Sequence, residues 1–140
     1  MNVELRAMES GDFAGAMGLW QVTEGMGLSA ADSAEGVGRF LRRNPGLSGV
    51  AVAGGLVVGT ALCGHDGRRG FIYHLAVATA YRGQGLGRAL VERCLAGLVG
   101  EGIGRVHVVV YGSNATGRAF WEHLGFGARL ELQLCTRVLG

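Results

Sequence analysis

The chain has 140 residues, 49% hydrophobic and 17% charged, which fits one domain built on one core and argues against long disordered tails. Its net charge of +2 demands neither nucleic acid nor an anionic membrane. All 13 basic residues are arginine, so any mechanism that needs a lysine is excluded: a P-loop ATPase, a Schiff-base enzyme, a pyridoxal enzyme. Cys63, Cys94 and Cys135 are odd in number and widely spaced, with no CxxC pair, so no zinc site or disulfide framework is expected. A reduced, cytoplasmic setting is the default for such cysteines.

In chain order, Val3 to Met8 reads as a first strand. The early charges Glu4 and Arg6 rule out a signal peptide. Asp12 is a good N-cap for a helix that turns Phe13, Met17, Leu19 and Trp20 inward. After a flexible break at residues 24–29, Asp32 or Ser33 caps a second helix running through Phe40 and Leu41 to Arg43, and Asn44-Pro45-Gly46 ends it. Residues 44–64 carry no charge and are long enough for a bilayer span. Gly54-Gly55, however, divides them into two short β-branched runs, Val50–Ala53 and Leu56–Leu62, which is a hairpin signal.

A polar turn at residues 63–70 leads to a strand from Phe71 to Val77, where alternation places Ile72, His74 and Ala76 on one face and Phe71, Tyr73, Leu75 and Val77 on the other. A helix spans Gly87 to Val99, with Leu86, Leu90, Cys94 and Leu98 at helical spacing, and stops at Gly100 and Gly102. Val106 to Tyr111 is a β-branched strand expected to be buried on both faces. Ser113 or Asn114 caps a helix to Leu124 that stops at Gly125, and Leu130 to Val138 is a last strand. The order βααβββαβαβ describes a mixed, mostly antiparallel sheet with helices on both faces, in one domain over residues 1–140.

Glycine is abundant, with 27 residues, so GxG triplets carry no information alone: chance placement gives about five and the chain holds seven. Only one triplet is preceded by Arg or Gln at the third position back: Arg82-x-x-Gly85-x-Gly87. That segment joins a strand to a helix, where unpaired amides and the positive end of the helix suit a pyrophosphate. Arg82 and Arg88 add charge-assisted contacts. A Walker loop is ruled out by the missing lysine, and the dinucleotide fingerprint by Arg88 and Leu90 at its closing position. The plain alternative, a tight turn with no ligand, is disfavoured by three glycines and two arginines in residues 82–88.

Two segments then show a likeness. Residues 75–90, Leu75-Ala76-Val77 through Arg82-Gly83-Gln84-Gly85-Leu86-Gly87-Arg88 to Leu90, resemble motif A of the GCN5-related N-acetyltransferases (GNAT family). Asn114 with Phe120-Trp121-Glu122-His123-Leu124-Gly125-Phe126 resembles that family's closing motif, and the whole is similar to small bacterial members of the RimI and YpeA kind.

The resemblance implies an acetyl-CoA co-substrate. Residues 82–88 would hold its pyrophosphate, and Leu75, Ala76 and Val77 the pantetheine arm through the main chain. Asn114 would hydrogen-bond the same arm, Phe120 would lie beside it, and amides near Val77 would face the thioester oxygen. It implies an enzyme of the acyltransferase class acting on a primary amine, either a small metabolite or a protein N-terminus, by direct attack in a ternary complex. It implies no metal and no nucleic-acid or membrane partner, and it admits a homodimer. The alternative is a non-catalytic acyl-CoA-binding sensor.

The family often has a tyrosine acid where this chain has Trp121, whose indole can donate a hydrogen bond but not act as an acid near neutral pH. A thiolate with an ordinary pKa of about 8.5 leaves tolerably without full protonation. His74 is the first candidate for the base that takes the ammonium proton, the other reading being a histidine hydrogen-bonded in the core or lining the acceptor pocket without titrating. Tyr73 and Tyr111 are further candidates as acid or pocket wall. For the acceptor, Glu24, Asp32 and Glu35 could pair with an ammonium, and Arg68 and Arg69 with a carboxylate; the latter pair equally suits a solvated turn.

Overall fold

The computed structural model describes residues 2–140, in two compact units, one ending at Val109 and one from Val110 to Gly140. The first unit holds a five-stranded sheet in the order β1-β2-β3-β4-β5: β1 Glu4–Ala7, β2 Gly49–Ala53, β3 Leu56–His65, β4 Gly70–Val77 and β5 Val106–Val108. Neighbours are antiparallel except β4 and β5, which are parallel. Helices α1 (Phe13–Gln21) and α2 (Ala34–Arg43) precede β2, and α3 (Leu86–Gly100) joins β4 to β5. The uncharged stretch folds as the expected hairpin, with Gly54 and Gly55 at φ 56° and 79°, a conformation that suits a two-residue turn and that side chains resist. No helix among the described residues is long and apolar enough to cross a membrane.

Alternation along the strands covers both faces of the sheet. Val50, Leu62 and Ala76 join Ala16, Leu19 and Trp20 of α1 and Val37 of α2 in one core. On the opposite face α3 lies close against backbone: a Cβ at Gly59 would stand 3.0 Å from Leu90, and one at Gly70 2.8 Å from Leu98. A helix sits this near a sheet only where the strands are bare, so part of the glycine content is explained by packing. Burial of Leu90, Cys94 and Leu98 fits the helical spacing read from the sequence.

Several expectations need correction. Asp12 precedes α1 but makes no side-chain cap there; it accepts from Nη1 and Nη2 of Arg6, each at 2.8 Å, and that pairing holds its carboxyl below the usual range. Of the two candidate caps of α2, Ser33 is the cap, accepting from the Gly36 amide at 3.0 Å, and the Asp32 carboxylate instead accepts the Ser29 amide at 2.9 Å in the preceding 3-10 turn. Strand β5 stops at Val108 rather than Tyr111 and is half-buried, with Val109 exposed.

In the second unit, Asn114 rather than Ser113 caps α4 (Ala115–His123), accepting from the Gly117 amide at 2.9 Å. The expected strand at 130–138 does not form, and Leu130, Leu132, Leu134 and Val138 are exposed. Its apolar alternation is a strand pattern, but a strand also needs a partner for its backbone groups, and among the described residues this segment has no ladder.

Candidate active site

Strand β4 does not keep a strict alternation. Tyr73 pairs with Leu62 and Ala76 with Thr60, so two residues of β4, His74 and Leu75, lie opposite Ala61 alone. This bulge falls at His74, whose φ of 51° is the sole positive value among the described non-glycine residues. As a result Tyr73, His74 and Ala76 share the face covered by α1 and α2, while Ile72, paired with Cys63, lies on the α3 face. The predicted grouping of Ile72 with His74 therefore fails, because an extra residue shifts the register by one.

Four contacts hold the bulge. The Trp20 indole N–H donates to Thr60 Oγ1 at 2.9 Å, and the Thr60 hydroxyl donates to the His74 carbonyl at 2.8 Å. The His74 ring stands edge-on to Trp20 with centroids 4.8 Å apart, and its Nε2 lies 2.7 Å from Asp32 Oδ1. Trp20 and Thr60 are fully buried. Thr60→Val keeps the volume but strands the indole N–H in the core and releases the His74 carbonyl. The expected loss is about 2 kcal/mol of stability, read as a lower urea midpoint; an unchanged midpoint would contradict the clamp.

The second feature lies where β4 ends. Pairing of β4 with β5 stops at Ile72, so Tyr73 to Val77 has no strand partner on that side among the described residues. After a 3-10 turn at Thr79–Tyr81, Gly83 and Gly85 adopt φ of 75° and 78°, and Gly85 is the N-cap of α3 with no side-chain cap. The backbone amides of residues 83–88 have no hydrogen-bond partner among the described residues. No acidic residue occupies the first turn of α3, so the positive end of the helix is unopposed from within that turn.

Arg82 Nε donates to the Val77 carbonyl at 2.9 Å, which ties the loop to the end of β4. Arg88 Nε is held by Glu92 at 2.8 Å, an exposed pair one helical turn along. The side chain of Leu86 packs, partly buried, against the cluster of Ala51, Ala53 and Val58, and Ala76 is buried in the core and offers a ligand only its main chain.

A groove of about 240 Å³ opens on the α2 side of the sheet, walled by Phe40, Phe71 and Tyr73 with Arg43 and Asp66 at its margin. Phe71 and Tyr73 stack with planes 6° apart, and Phe40 meets Tyr73 edge-on at 6.0 Å. Burial raises the Tyr73 pKa, so its phenol keeps its proton. Arg68 and Arg69 do not line the groove; their amides, Arg69 foremost, hold the Asp66 carboxyl below the usual range.

In the second unit Trp121 packs edge-on to Phe120 at 5.2 Å and to Phe126 at 4.9 Å, and Tyr111 is exposed. Asn114 spends its carboxamide oxygen on the helix cap, leaving its Nδ2 hydrogens for another acceptor. Sequence reasoning did not find the partnership of Asp32 with His74, the Thr60 clamp, or Phe40 and Arg43 as residues of the groove. Asp32 and His74 are 42 residues apart, and no local spacing signals their pairing.

The chain as a whole is similar to known proteins. Residues 16–126 match the model of the Acetyltransferase (GNAT) family. The chain is 31% identical over 138 residues to an acetyltransferase of Sodalis glossinidius, a match spanning 99% of this chain and 94% of that one. Among solved structures it is similar to an acetyltransferase of Trypanosoma brucei, with 27% identity, TM-score 0.72 and coverage of 98% of this chain and 100% of that one. It also shares its fold with the PaiA N-acetyltransferase of Thermoplasma acidophilum, solved in complex with coenzyme A, at 18% identity, TM-score 0.77 and 91% of each chain. The chain belongs to the GNAT acetyltransferase family. Its mixed α/β architecture, with a five-stranded sheet flanked by helices, is that of the family's fold.

Proposed function

We propose that the protein transfers an acetyl group from acetyl-CoA to a primary amine. The observation that carries this reading is the run of unpartnered amides at residues 83–88 beside the open edge of β4. Those amides and the helix end suit the two phosphates of a pyrophosphate, with Arg82 tying the loop to the end of β4 through its Nε. The free edge from Tyr73 to Val77 suits an extended amide chain such as pantetheine, which would add to the sheet as a strand does. The coenzyme A complex of the Thermoplasma acidophilum relative supports the same choice of ligand.

The acceptor amine would approach on the α1 and α2 face, where the bulge presents His74 and the groove of Phe40, Phe71 and Tyr73 adjoins it. The ammonium gives one proton to His74, and the neutral nitrogen attacks the thioester carbon. The C–S bond then breaks with its electron pair on sulfur, and the second nitrogen proton ends on the thiolate as thiol. The Tyr73 phenol, on the same face and kept neutral by burial, would be the proton donor in this reading.

Thiol release from acetyl-CoA with a panel of primary amines tests the reading, together with calorimetry of acetyl-CoA alone. Turnover on an amine is the expected result. Tight binding with no turnover on any amine would replace the enzyme by an acyl-CoA sensor, and neither binding nor turnover would end both readings.

A further inference from the structure

The contact between Asp32 and His74 has a chemical consequence. Their side chains are 10% and 14% exposed, and the 2.7 Å separation joins Nε2 to Oδ1. The carboxylate is fixed at both oxygens, since Oδ2 accepts the Ser29 amide at 2.9 Å within the 3-10 turn Ala30–Asp32. Because Ser33 caps α2, the start of that helix does not compete for Oδ1.

On the other side the His74 ring meets the edge of Trp20, and its backbone is pinned by Thr60. The ring is thus held at three points. Every buried side-chain nitrogen and oxygen among the described residues has a partner, and Nδ1 of His74 has none, so Nδ1 is on the accessible side of the ring.

We propose that Asp32 is a positioning residue that acts through His74: it keeps the neutral ring in the Nε2–H form, pointing Nε2–H at Oδ1 and leaving the Nδ1 lone pair for the ammonium proton. The proton moves from the amine nitrogen, directly or through one water, to Nδ1, and the carboxylate stabilises the imidazolium that results while staying ionised itself. This inference rests on the reading of His74 as the base. A carboxylate accepts only, so it can receive N–H from the ring but never give one. That rule sets the tautomer, and the tautomer decides which nitrogen meets the substrate. The pairing also makes the turn before α2 part of the catalytic apparatus, because a displaced Asp32 releases the ring.

The test combines long-range proton–nitrogen NMR of the imidazole rings with kinetics. The His74 signals are assigned by their loss in His74→Gly. The native protein should show His74 as the Nε2–H form. Asp32→Asn puts an amide that can donate in place of one oxygen, and His74 should shift toward Nδ1–H. In thiol release with acetyl-CoA and the amine turned over in the panel, the same variant should lose at least tenfold in kcat with the KM for acetyl-CoA unchanged, and Asp32→Glu should recover part of it.

A native ring in the Nδ1–H form overturns the proposal without any variant. So does an unchanged tautomer or an unchanged kcat in a folded Asp32→Asn protein. Absence of turnover on every amine instead defeats the enzyme reading, and the NMR result still decides whether Asp32 sets the tautomer.

Discussion

Arg82→Glu should weaken acetyl-CoA binding about 100-fold in calorimetry, with little change in thermal stability. The Arg82 guanidinium donates from Nε to the Val77 carbonyl and so braces the loop against the end of β4. Its other nitrogens have no partner among the described residues and stay available to a phosphate. A hydrogen bond involving a charged group contributes about 1.5–3 kcal/mol, and a carboxylate in its place adds repulsion toward an anion. About 3 kcal/mol corresponds to roughly 100-fold in affinity. Arg82→Gln keeps a donor without the charge and should lose less, which separates bracing from electrostatics. Arg88→Glu should cost less again, because Arg88 already shares its charge with Glu92. Equal affinity for Arg82→Glu and the native protein would remove the pyrophosphate role from this loop.

What could be read from the sequence was what short-range chemistry controls. The hairpin turn needs two residues at positive φ, and Gly54-Gly55 announces it. The α3 helix begins and ends on glycines, and its buried spacing of Leu90, Cys94 and Leu98 is periodic. The loop at 82–87 was legible because one arginine at one offset distinguishes it from six other glycine triplets. The bulge was not legible, since period-2 alternation contains no mark of an inserted residue. It exists because Trp20, Thr60 and Asp32, from three other elements, converge on His74.

The same limit explains the strand that failed to form. Leu130, Leu132 and Leu134 alternate as a strand would, but alternation predicts a face to bury and supplies no partner to pair with. Candidate residues of the second unit were chosen by likeness rather than by geometry. There Asn114 and Trp121 have local duties, as a helix cap and as the centre of an aromatic trio.

The largest kinetic effect should come from His74→Gly, with kcat lower by about 10²–10⁴-fold, the range that a positioned acid or base contributes. Glycine is the informative substitution because φ is 51° at this position, a region it enters freely and in which other residues are strained. The bulge can therefore keep its shape while losing the ring. KM for acetyl-CoA should stay near its native value, since the amides at residues 83–88 are untouched. The vacated space is bounded by Trp20 and by the Asp32 carboxylate, which together match an imidazole in shape and hydrogen bonding. Imidazole added to the assay should therefore restore part of the lost rate in His74→Gly and none in the native protein. A decline of only a few fold, or a deep loss that imidazole leaves unchanged, would reduce His74 to a wall of the acceptor pocket. The strain at this residue is then the useful diagnostic: a histidine is held at positive φ at the one place in β4 where the bulge brings its ring to Asp32 and leaves Nδ1 without a partner among the described residues.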